Sequence, residues 1–473
     1  MLSKKMLIGG QWIDSKRHYE LRSPYNGQVI ARIPLADRGD IEKALASAEQ
    51  GAKAMRLLTS HERSAILEKV AQLFQERAEQ CAAILANEAA KPLKAARAEI
   101  ARTIETYKFA AEEAKRIHGE TIPLDAAKSG AGRFGYTKRE PLGVIAAITP
   151  FNFPFNLVAH KLGPAFAAGN AVVLKPASQT PLSALMTAQL FAEAGLPAGA
   201  LNVVTGSGSE IGDVLVQDAR VKMITFTGSA EVGRRIKEQA GLKRVTLELG
   251  SNSAVIIDSA EDLEAVAARC AEGAFSFAGQ VCISVQRIFV QERLFESFVE
   301  LLTERAKRLV YGDPHEDTTD ISALIHTREA ERIERWVAEA ADAGARIACG
   351  GRREGGYYEP TVIVSRERNL TISCQEAFGP VVVVDHYHDW DEAISAVNDS
   401  AYGLQAGVYT TSISKAFDAV ERLEVGGVII NDIPTFRVDH MPYGGVKNSG
   451  LGKEGIKYSI EEMSELKFVS FKL

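Results

Sequence analysis

Three short runs of this sequence carry side chains that together could make and break a bond to a carbonyl carbon. Cys282 follows a Gly-Gln pair in FSFAGQVCISVQR, Glu248 lies in VTLELGS, and Asn152 lies in the Pro-flanked run ITPFNFPF. A thiolate is a strong nucleophile, a carboxylate can act as a general base, and a side-chain amide can donate to an oxyanion. A single cysteine is more often a small buried hydrophobic residue, so this prediction depends on all three groups.

Composition limits what else the chain could be. Its 473 residues are 46% hydrophobic and 25% charged, which is typical of a globular protein of two or three domains. A net charge of -6 argues against a nucleic-acid or membrane-surface partner. No signal-peptide pattern or membrane-spanning run is visible. The five cysteines have no CxxC spacing, which predicts neither disulfides nor a metal site, and the expected compartment is the cytoplasm.

Hydrophobic periodicity predicts the elements that must position these groups. Amphipathic helices are expected at Asp40–Leu58, Glu62–Phe74 and Ala95–Ile117. From Gly143 to Ala240 strands alternate with helices, one of which is expected from Glu210 to Val216. Such alternation is typical of βαβ units in a doubly wound, parallel sheet. A second alternating block runs from Ser253 to about Ile430, so the domain boundary is predicted near Gly250.

The last residues form a separate prediction. Glu461 to Leu473 alternates polar and apolar side chains like a strand, and an isolated strand is not stable in water. It must therefore pair either with the Gly- and Pro-punctuated segment from Gly119 to Arg139 or with an edge of another subunit.

Two turns could hold a dinucleotide. VVTGSGSEIG has GxGxxxG spacing, which alone is weak support. ITFTGSAEVG follows a strand and opens a helix at Gly228 and Ser229, and a helix N-terminus suits a pyrophosphate. Lys175, which precedes both turns in the sequence, could reach ribose or phosphate oxygens. An ordinary capped turn and a solvated lysine remain the alternatives.

The runs TPFNFP, LKPASQTP, FTGS, LELG, GQVC, EAFGP and PYGGVKNSG occur in this order over nearly the whole chain. In this the chain resembles the NAD(P)-dependent aldehyde dehydrogenase superfamily. The resemblance implies an α/β fold with a Rossmann-type dinucleotide-binding domain (1–118 and 142–249) and an α/β catalytic domain (250–452). It also implies a small β oligomerisation arm (119–141 and 453–473) in a homodimer or homotetramer.

The resemblance also implies a mechanism. Cys282 attacks the aldehyde to form a thiohemiacetal, while the side chain of Asn152 and the backbone N–H of Cys282 hold the oxyanion. Hydride passes to the nicotinamide, and Glu248 activates the water that hydrolyses the thioester to a carboxylic acid. The residues matching the family's cofactor contacts are Thr149, Pro150, Phe151, Lys175, Ser178, Gly208, Gly228, Ser229, Leu249, Glu376 and Phe378.

Two features refine this expectation. NAD-preferring members often have a glutamate where this chain has Ser178, so NADP is favoured, with NAD as the alternative. Near the expected substrate tunnel lie four residues that could hold a carboxylate, phosphate or sulfonate: Arg102, His160, Arg437 and His440. Solvated or carbonyl-bonded arginines are the alternative. Val281 precedes the nucleophile where relatives acting on phosphorylated aldehydes can have arginine, which weakens the phosphate case.

The predicted substrate is therefore a small anionic or hydroxylated aldehyde, with lactaldehyde, glyceraldehyde 3-phosphate, succinate semialdehyde and sulfonated or phosphonated aldehydes open. CoA-acylating chemistry on the same fold is disfavoured by Glu248, because acylating relatives usually lack that carboxylate. A non-catalytic binding protein is disfavoured because it needs none of Cys282, Glu248 and Asn152.

Overall fold

The computed structural model describes residues 3–473. The strands are β1 Met6–Ile8, β2 Gln11–Ile13, β3 His18–Arg22, β4 Val29–Pro34, β5 Thr121–Ile122, β6 Arg133–Pro141, β7 Val144–Ile148, β8 Ala171–Lys175, β9 Leu201–Val203, β10 Val221–Thr227, β11 Arg244–Glu248, β12 Ala254–Ile257, β13 Arg287–Gln291, β14 Arg346–Cys349, β15 Arg353–Glu354, β16 Tyr357–Tyr358, β17 Thr361–Val364, β18 Val381–Tyr387, β19 Tyr402–Gly403, β20 Gln405–Tyr409, β21 Gly427–Ile430, β22 Val446–Lys447, β23 Gly450–Leu451 and β24 Ser464–Lys472. The helices are α1 Arg38–Leu57, α2 Ser60–Glu76, α3 Ala78–Ala89, α4 Leu93–Ala114, α5 Asn156–Ala167, α6 Pro181–Glu193, α7 Asp213–Gln217, α8 Ala230–Gln239, α9 Leu263–Phe275, α10 Phe295–Lys307, α11 Thr327–Asp342, α12 Thr371–Cys374, α13 Trp390–Asn398, α14 Ile413–Arg422 and α15 Ile456–Glu462.

The first sheet has eight strands in the order β2-β1-β9-β8-β7-β10-β11-β23. Strands β9, β8, β7, β10 and β11 run parallel, whereas β1, β2 and β23 pair antiparallel at the two edges. Apolar clusters bury both faces of the sheet, as a parallel sheet requires. The parallel strands place Asn152, Lys175 and Glu248 at one edge, because each lies at or just after a strand's carboxyl end.

The second sheet has seven strands in the order β14-β17-β18-β13-β12-β20-β21, and β14 alone pairs antiparallel. Helices α9 and α10 pack on its core through residues such as Cys270 and Phe298. The loop between α9 and β13 carries Cys282. The chain passes from the first sheet to the second between β11 and β12.

The C-terminal strand pairs within this chain. Strand β24 lies antiparallel to β6 from Ser464 opposite Pro141 to Lys472 opposite Arg133, and β5 completes a three-stranded sheet. The segment before residue 140 is therefore its partner, the first of the two predicted alternatives. The arm leaves large apolar side chains about half exposed: Leu466, Phe468 and Phe471.

The structure differs from the predicted elements at three places. Helix α3 lies in a stretch for which no element was predicted. The helix predicted from Glu210 begins as a π-turn, Gly208–Gly212. Helix α15 packs into the core of the first sheet through Ile456 and Ile460, although the sequence suggested that the arm starts at residue 453. Within residues 3–473, no helix has the length and apolarity needed to cross a membrane.

Candidate active site

The backbone that presents Cys282 is unusually bent. Phe277, Ala278 and Gly279 all adopt left-handed conformations, with φ of 49°, 53° and 69°. Such a conformation costs a non-glycine residue roughly 1–2 kcal/mol. A Cβ at Gly279 would lie 2.0 Å from the carbonyl oxygen of Gly379, so only glycine fits there. Strain of this kind is concentrated at functional sites, where the surrounding structure holds it in place.

Cys282 faces a cavity of about 180 Å³. The cavity combines apolar walls with a few charged groups, which is the usual character of a small-molecule site. Its lining residues are Lys91, Ala95, Ala98, Glu99, Arg102, Phe153, Asn156, Leu157, Ser276, Phe277, Val281, Cys282, Ile283, Thr435 and Arg437.

The hydroxyl of Tyr443 holds the sulfur of Cys282. The two atoms are 3.0 Å apart, and Tyr443 is buried. Burial raises the pKa of the Cys282 thiol to about 11, although the Tyr443 hydrogen bond and the Arg437 charge act in the opposite direction. The thiol is therefore protonated near neutral pH and must lose its proton before it attacks a carbonyl.

The side-chain amide of Asn152 points towards the nucleophile loop. Its Nδ2 donates to the carbonyl oxygen of Gln280 at 3.0 Å, two residues before Cys282. That carbonyl fixes the orientation of the amide, because a reversed amide would place two oxygens together. One N–H of the amide remains to donate to an oxyanion.

Glu248 is a buried carboxyl group at the end of β11. Among the residues described, neither of its oxygens has a hydrogen-bond partner. Gly444 lies directly against it, since a Cβ there would be 3.0 Å from Oε1. Burial, together with the nearby charge of Glu454, raises the pKa of Glu248 well above its usual value. Because Tyr443 and Gly444 are adjacent, one segment contacts both the sulfur and the carboxyl group.

Two predicted anion-binding residues are paired with Asp439. Arg102 donates to it through Nη2 at 2.7 Å and Nε at 3.3 Å, and the Nε2 of His160 lies 2.8 Å from its Oδ1. Burial and the Arg437 charge lower the pKa of His160 below its usual value. The sequence reasoning missed Asp439. His440, the fourth predicted residue, packs its ring against Phe109 instead.

Arg437 is buried beside the nucleophile. Its guanidinium lies 3.7 Å from the centre of the Tyr443 ring, and Nη2 donates to Glu454 at 3.2 Å. Glu454 also accepts from the buried Lys161 at 3.1 Å. The Nε–H of Arg437 is buried and has no partner among the described residues. An unpaired buried donor is costly, so an acceptor that enters the cavity would be bound favourably.

The other edge of the site fits a dinucleotide. The ammonium of Lys175 is buried and, within residues 3–473, donates only to the carbonyl of Pro176; burial lowers the pKa of Lys175 to about 8. Ser229 caps α8, which leaves backbone N–H groups at the helix start. Space is open beside Gly208, where a Cβ would meet nothing within 4 Å. These groups suit the ribose and phosphates of such a ligand.

The remaining predicted cofactor residues border the same edge. Thr149, Pro150 and Phe151 follow β7, and Gly228 donates to the Glu248 carbonyl at 3.0 Å, next to Leu249. Glu376 accepts from the backbone N–H of Ser251 at 3.0 Å, and burial raises the pKa of Glu376 to about 7. Phe378 packs edge-on against Phe151. Ser178 Oγ donates to the carbonyl of Gly206.

The sequence model described as "Aldehyde dehydrogenase family" matches residues 12–469. The chain belongs to the aldehyde dehydrogenase family. This aldehyde dehydrogenase is 48% identical over 468 residues to the 3-sulfolactaldehyde dehydrogenase of Priestia megaterium, a match that covers 99% of this chain and 98% of the relative.

Solved structures agree with this assignment. Aldehyde dehydrogenase 21 from Physcomitrella patens, in complex with the reaction product succinate, matches with a TM-score of 0.98 and 40% identity over 100% of this chain and 98% of that one. Glyceraldehyde-3-phosphate dehydrogenase from Methanocaldococcus jannaschii, complexed with NADP, matches with a TM-score of 0.93 and 39% identity over 97% and 100%. This aldehyde dehydrogenase therefore has the family fold and oxidises aldehydes with NAD(P), as predicted.

Proposed function

We propose that this enzyme oxidises a short aldehyde with an anionic far end to its carboxylic acid. Cys282 is the nucleophile, Asn152 the oxyanion donor and Glu248 the base. The proposal of an anionic substrate rests on the Nε–H of Arg437, which is buried beside Cys282 and has no hydrogen-bond partner among the described residues. A sulfonate or carboxylate oxygen would satisfy it.

The residues of the chain divide the chemistry as follows. The thiol of Cys282 gives its proton to water, its sulfur adds to the aldehyde carbon, and Asn152 donates to the resulting alkoxide. When bound, the nicotinamide supplies the hydride acceptor that this oxidation requires. Glu248 in its ionised form removes a proton from the water that attacks the thioester, which releases the acid and the thiol.

The charges around the cavity favour one anion. Arg102 commits Nε and Nη2 to Asp439 and retains Nη1, while Arg437 retains Nε. Two donors of the cavity lining, one from each arginine, can thus hold one oxyanion. The negative charges of Asp439 and Glu454 compensate the positive charges of the two arginines, so the site should not bind anions without selectivity. Val281 adds an apolar wall where a further cation would suit a phosphate.

The names of three of the relatives are consistent with this class. 3-Sulfolactaldehyde, succinate and glyceraldehyde 3-phosphate all carry an anionic group away from the reacting carbon. Of these, we propose a sulfonate- or carboxylate-bearing aldehyde of three or four carbons as the substrate, and 3-sulfolactaldehyde as the first compound to assay.

We propose NADP as the preferred cofactor. Ser178 places a hydroxyl where a carboxylate would repel a 2'-phosphate, and its Oγ is engaged by the Gly206 carbonyl. The proposed cofactor contacts are those predicted from the sequence. The proposed domains also keep their predicted limits, except that α15 packs with the dinucleotide-binding part.

We also propose a homodimer or homotetramer in the cytoplasm. The arm exposes Phe468 and Phe471, and β21 is an edge strand of the second sheet with Ile430 exposed. Exposed apolar strands of this kind usually pair with another chain. All five cysteines are unpaired, as suits a reducing compartment.

Aldehyde turnover tests the proposal. Initial rates of NADP reduction should be measured with 3-sulfolactaldehyde, succinate semialdehyde, glyceraldehyde 3-phosphate and lactaldehyde, each with and without CoA. The expected result is a kcat/KM for 3-sulfolactaldehyde well above that for lactaldehyde, with the free acid as product and no dependence on CoA. A requirement for CoA would favour the acylating alternative, and a preference for lactaldehyde would refute the anion site.

A further inference from the structure

A buried ion pair lies behind the oxyanion donor. Lys91, in the turn between α3 and α4, pairs with Glu99 on α4, and both side chains are fully inaccessible to solvent. Neither residue was singled out in the sequence. Burying two charges gives little net stability, because desolvation offsets their attraction. What the pair contacts is therefore more informative than its own energy.

The pair holds both sides of the turn that carries Asn152. Lys91 Nζ donates to the backbone carbonyl of Asn152 at 2.6 Å. Glu99 Oε1 accepts from the backbone N–H groups of Phe155 at 2.9 Å and Asn156 at 3.2 Å, at the start of α5. Three backbone groups within five residues are thus held by one ion pair.

Four groups surround the ammonium of Lys91. An ammonium has three donors, and here one faces Glu99 and one the Asn152 carbonyl. The ammonium also lies 3.8 Å from the ring centre of Phe153 and 4.4 Å from that of Phe277. Phe277 belongs to the strained loop before Cys282. Lys91 therefore contacts the segment of the amide donor and the segment of the nucleophile.

We propose that Lys91 and Glu99 are positioning residues that fix the Asn152 amide against the nucleophile loop. The inference depends on the proposed role of Asn152 in the reaction. Both side chains border the cavity that Cys282 faces, but their charged groups are bonded to each other and to the backbone of residues 152–156, so we expect the pair to act through that backbone. A displacement of about 1 Å at such a donor can lower the rate about 100-fold.

The test compares Lys91→Met/Glu99→Gln with wild type in the full-length enzyme. This variant removes both charges and keeps an acceptor for the α5 N–H groups. We expect a cooperative melt close to that of wild type, a kcat lowered about 10- to 100-fold, and little change in KM for either 3-sulfolactaldehyde or lactaldehyde. Glu99→Gln alone keeps the lysine, so its kcat should fall much less than that of the double variant. Lys91→Leu/Glu99→Gln, which also removes both charges and keeps that acceptor, provides the same comparison should the first variant not fold.

The same substitutions in an Asn152→Ala enzyme test whether the pair acts by positioning Asn152 or by stabilising the site in general. In Asn152→Ala enzyme the same substitutions should lower kcat no further, because the group they position is gone. An unchanged kcat in the first variant, or an equal loss with and without Asn152, would overturn the inference. So would a rise in KM confined to the anionic aldehyde, which would make Lys91 a substrate ligand. If Asn152→Ala itself retained full activity, the proposed site would fail instead.

Discussion

Arg437→Gln should remove the discrimination between an anionic and a neutral aldehyde. 3-Sulfolactaldehyde and lactaldehyde share a carbon skeleton and differ by the sulfonate, so the ratio of their kcat/KM values isolates that group. A hydrogen bond to a charged group contributes about 1.5–3 kcal/mol, which corresponds to about 10- to 150-fold in kcat/KM. The loss should lie near the upper end, because Asp439 and Glu454 remain to repel the sulfonate.

The assay is steady-state NADP reduction with both aldehydes, and Arg437→Lys is the matched control. Lysine keeps the charge but not the Nε–H next to Cys282. The ratio of the two kcat/KM values in Arg437→Lys should therefore lie between those of the wild type and Arg437→Gln. Arg437 also stacks on Tyr443, and a common fall in kcat for both substrates would reflect that contact. Equal losses in kcat/KM for the two aldehydes would refute the anion site at Arg437.

Two further predictions concern the sulfur and the cofactor. Tyr443→Phe removes the donor to Cys282, so the pKa of the thiol should rise by about one unit. The pH dependence of cysteine alkylation, followed by peptide mass spectrometry, and the alkaline rise of kcat/KM should therefore both move to higher pH. Unchanged pH profiles would exclude this role of Tyr443. Ser178→Glu places a carboxylate near the expected 2'-phosphate, so the ratio of kcat/KM with NADP to kcat/KM with NAD should fall at least about tenfold. An unchanged ratio would show that Ser178 does not determine cofactor preference.

The groups proposed to react could be predicted from the sequence because each lies in a run with a recognisable local pattern. Asn152 and Glu248 follow or end strands of a parallel sheet, and alternation predicts that such residues meet at one edge. The pairing of the last strand was also predictable, since an isolated alternating segment needs a partner and the chain offers one near residue 135.

The charged partners around the site could not be predicted in the same way. Asp439 meets Arg102 across 337 positions, and Glu454 meets Lys161 across 293, so no local spacing connects them. Lys91 and Glu99 have the spacing of ordinary surface charges, and only the tertiary structure shows that they are buried. Tyr443 stood within a recognised run, PYGGVKNSG, yet its contact with the sulfur depends on how two distant loops pack.

The backbone strain at the nucleophile was equally invisible. Phe277 and Ala278 are not residues that favour left-handed φ, so their types predict ordinary helix or turn geometry. Gly279 also packs against the carbonyl of Gly379, which is distant in the sequence, so local residue types do not predict this contact. Features of this kind follow from the assembled core, which sequence periodicity describes only in part.

The central claim is that Cys282 carries the acyl group and that Glu248 releases it. The most direct measurement is intact-mass spectrometry of the Glu248→Gln enzyme, quenched after mixing with NADP and 3-sulfolactaldehyde. Loss of a general base typically slows a step by about 10²–10⁴-fold, so a stoichiometric acyl adduct should accumulate and map to Cys282. Turnover at the wild-type rate, or an adduct on a different residue, would contradict the account.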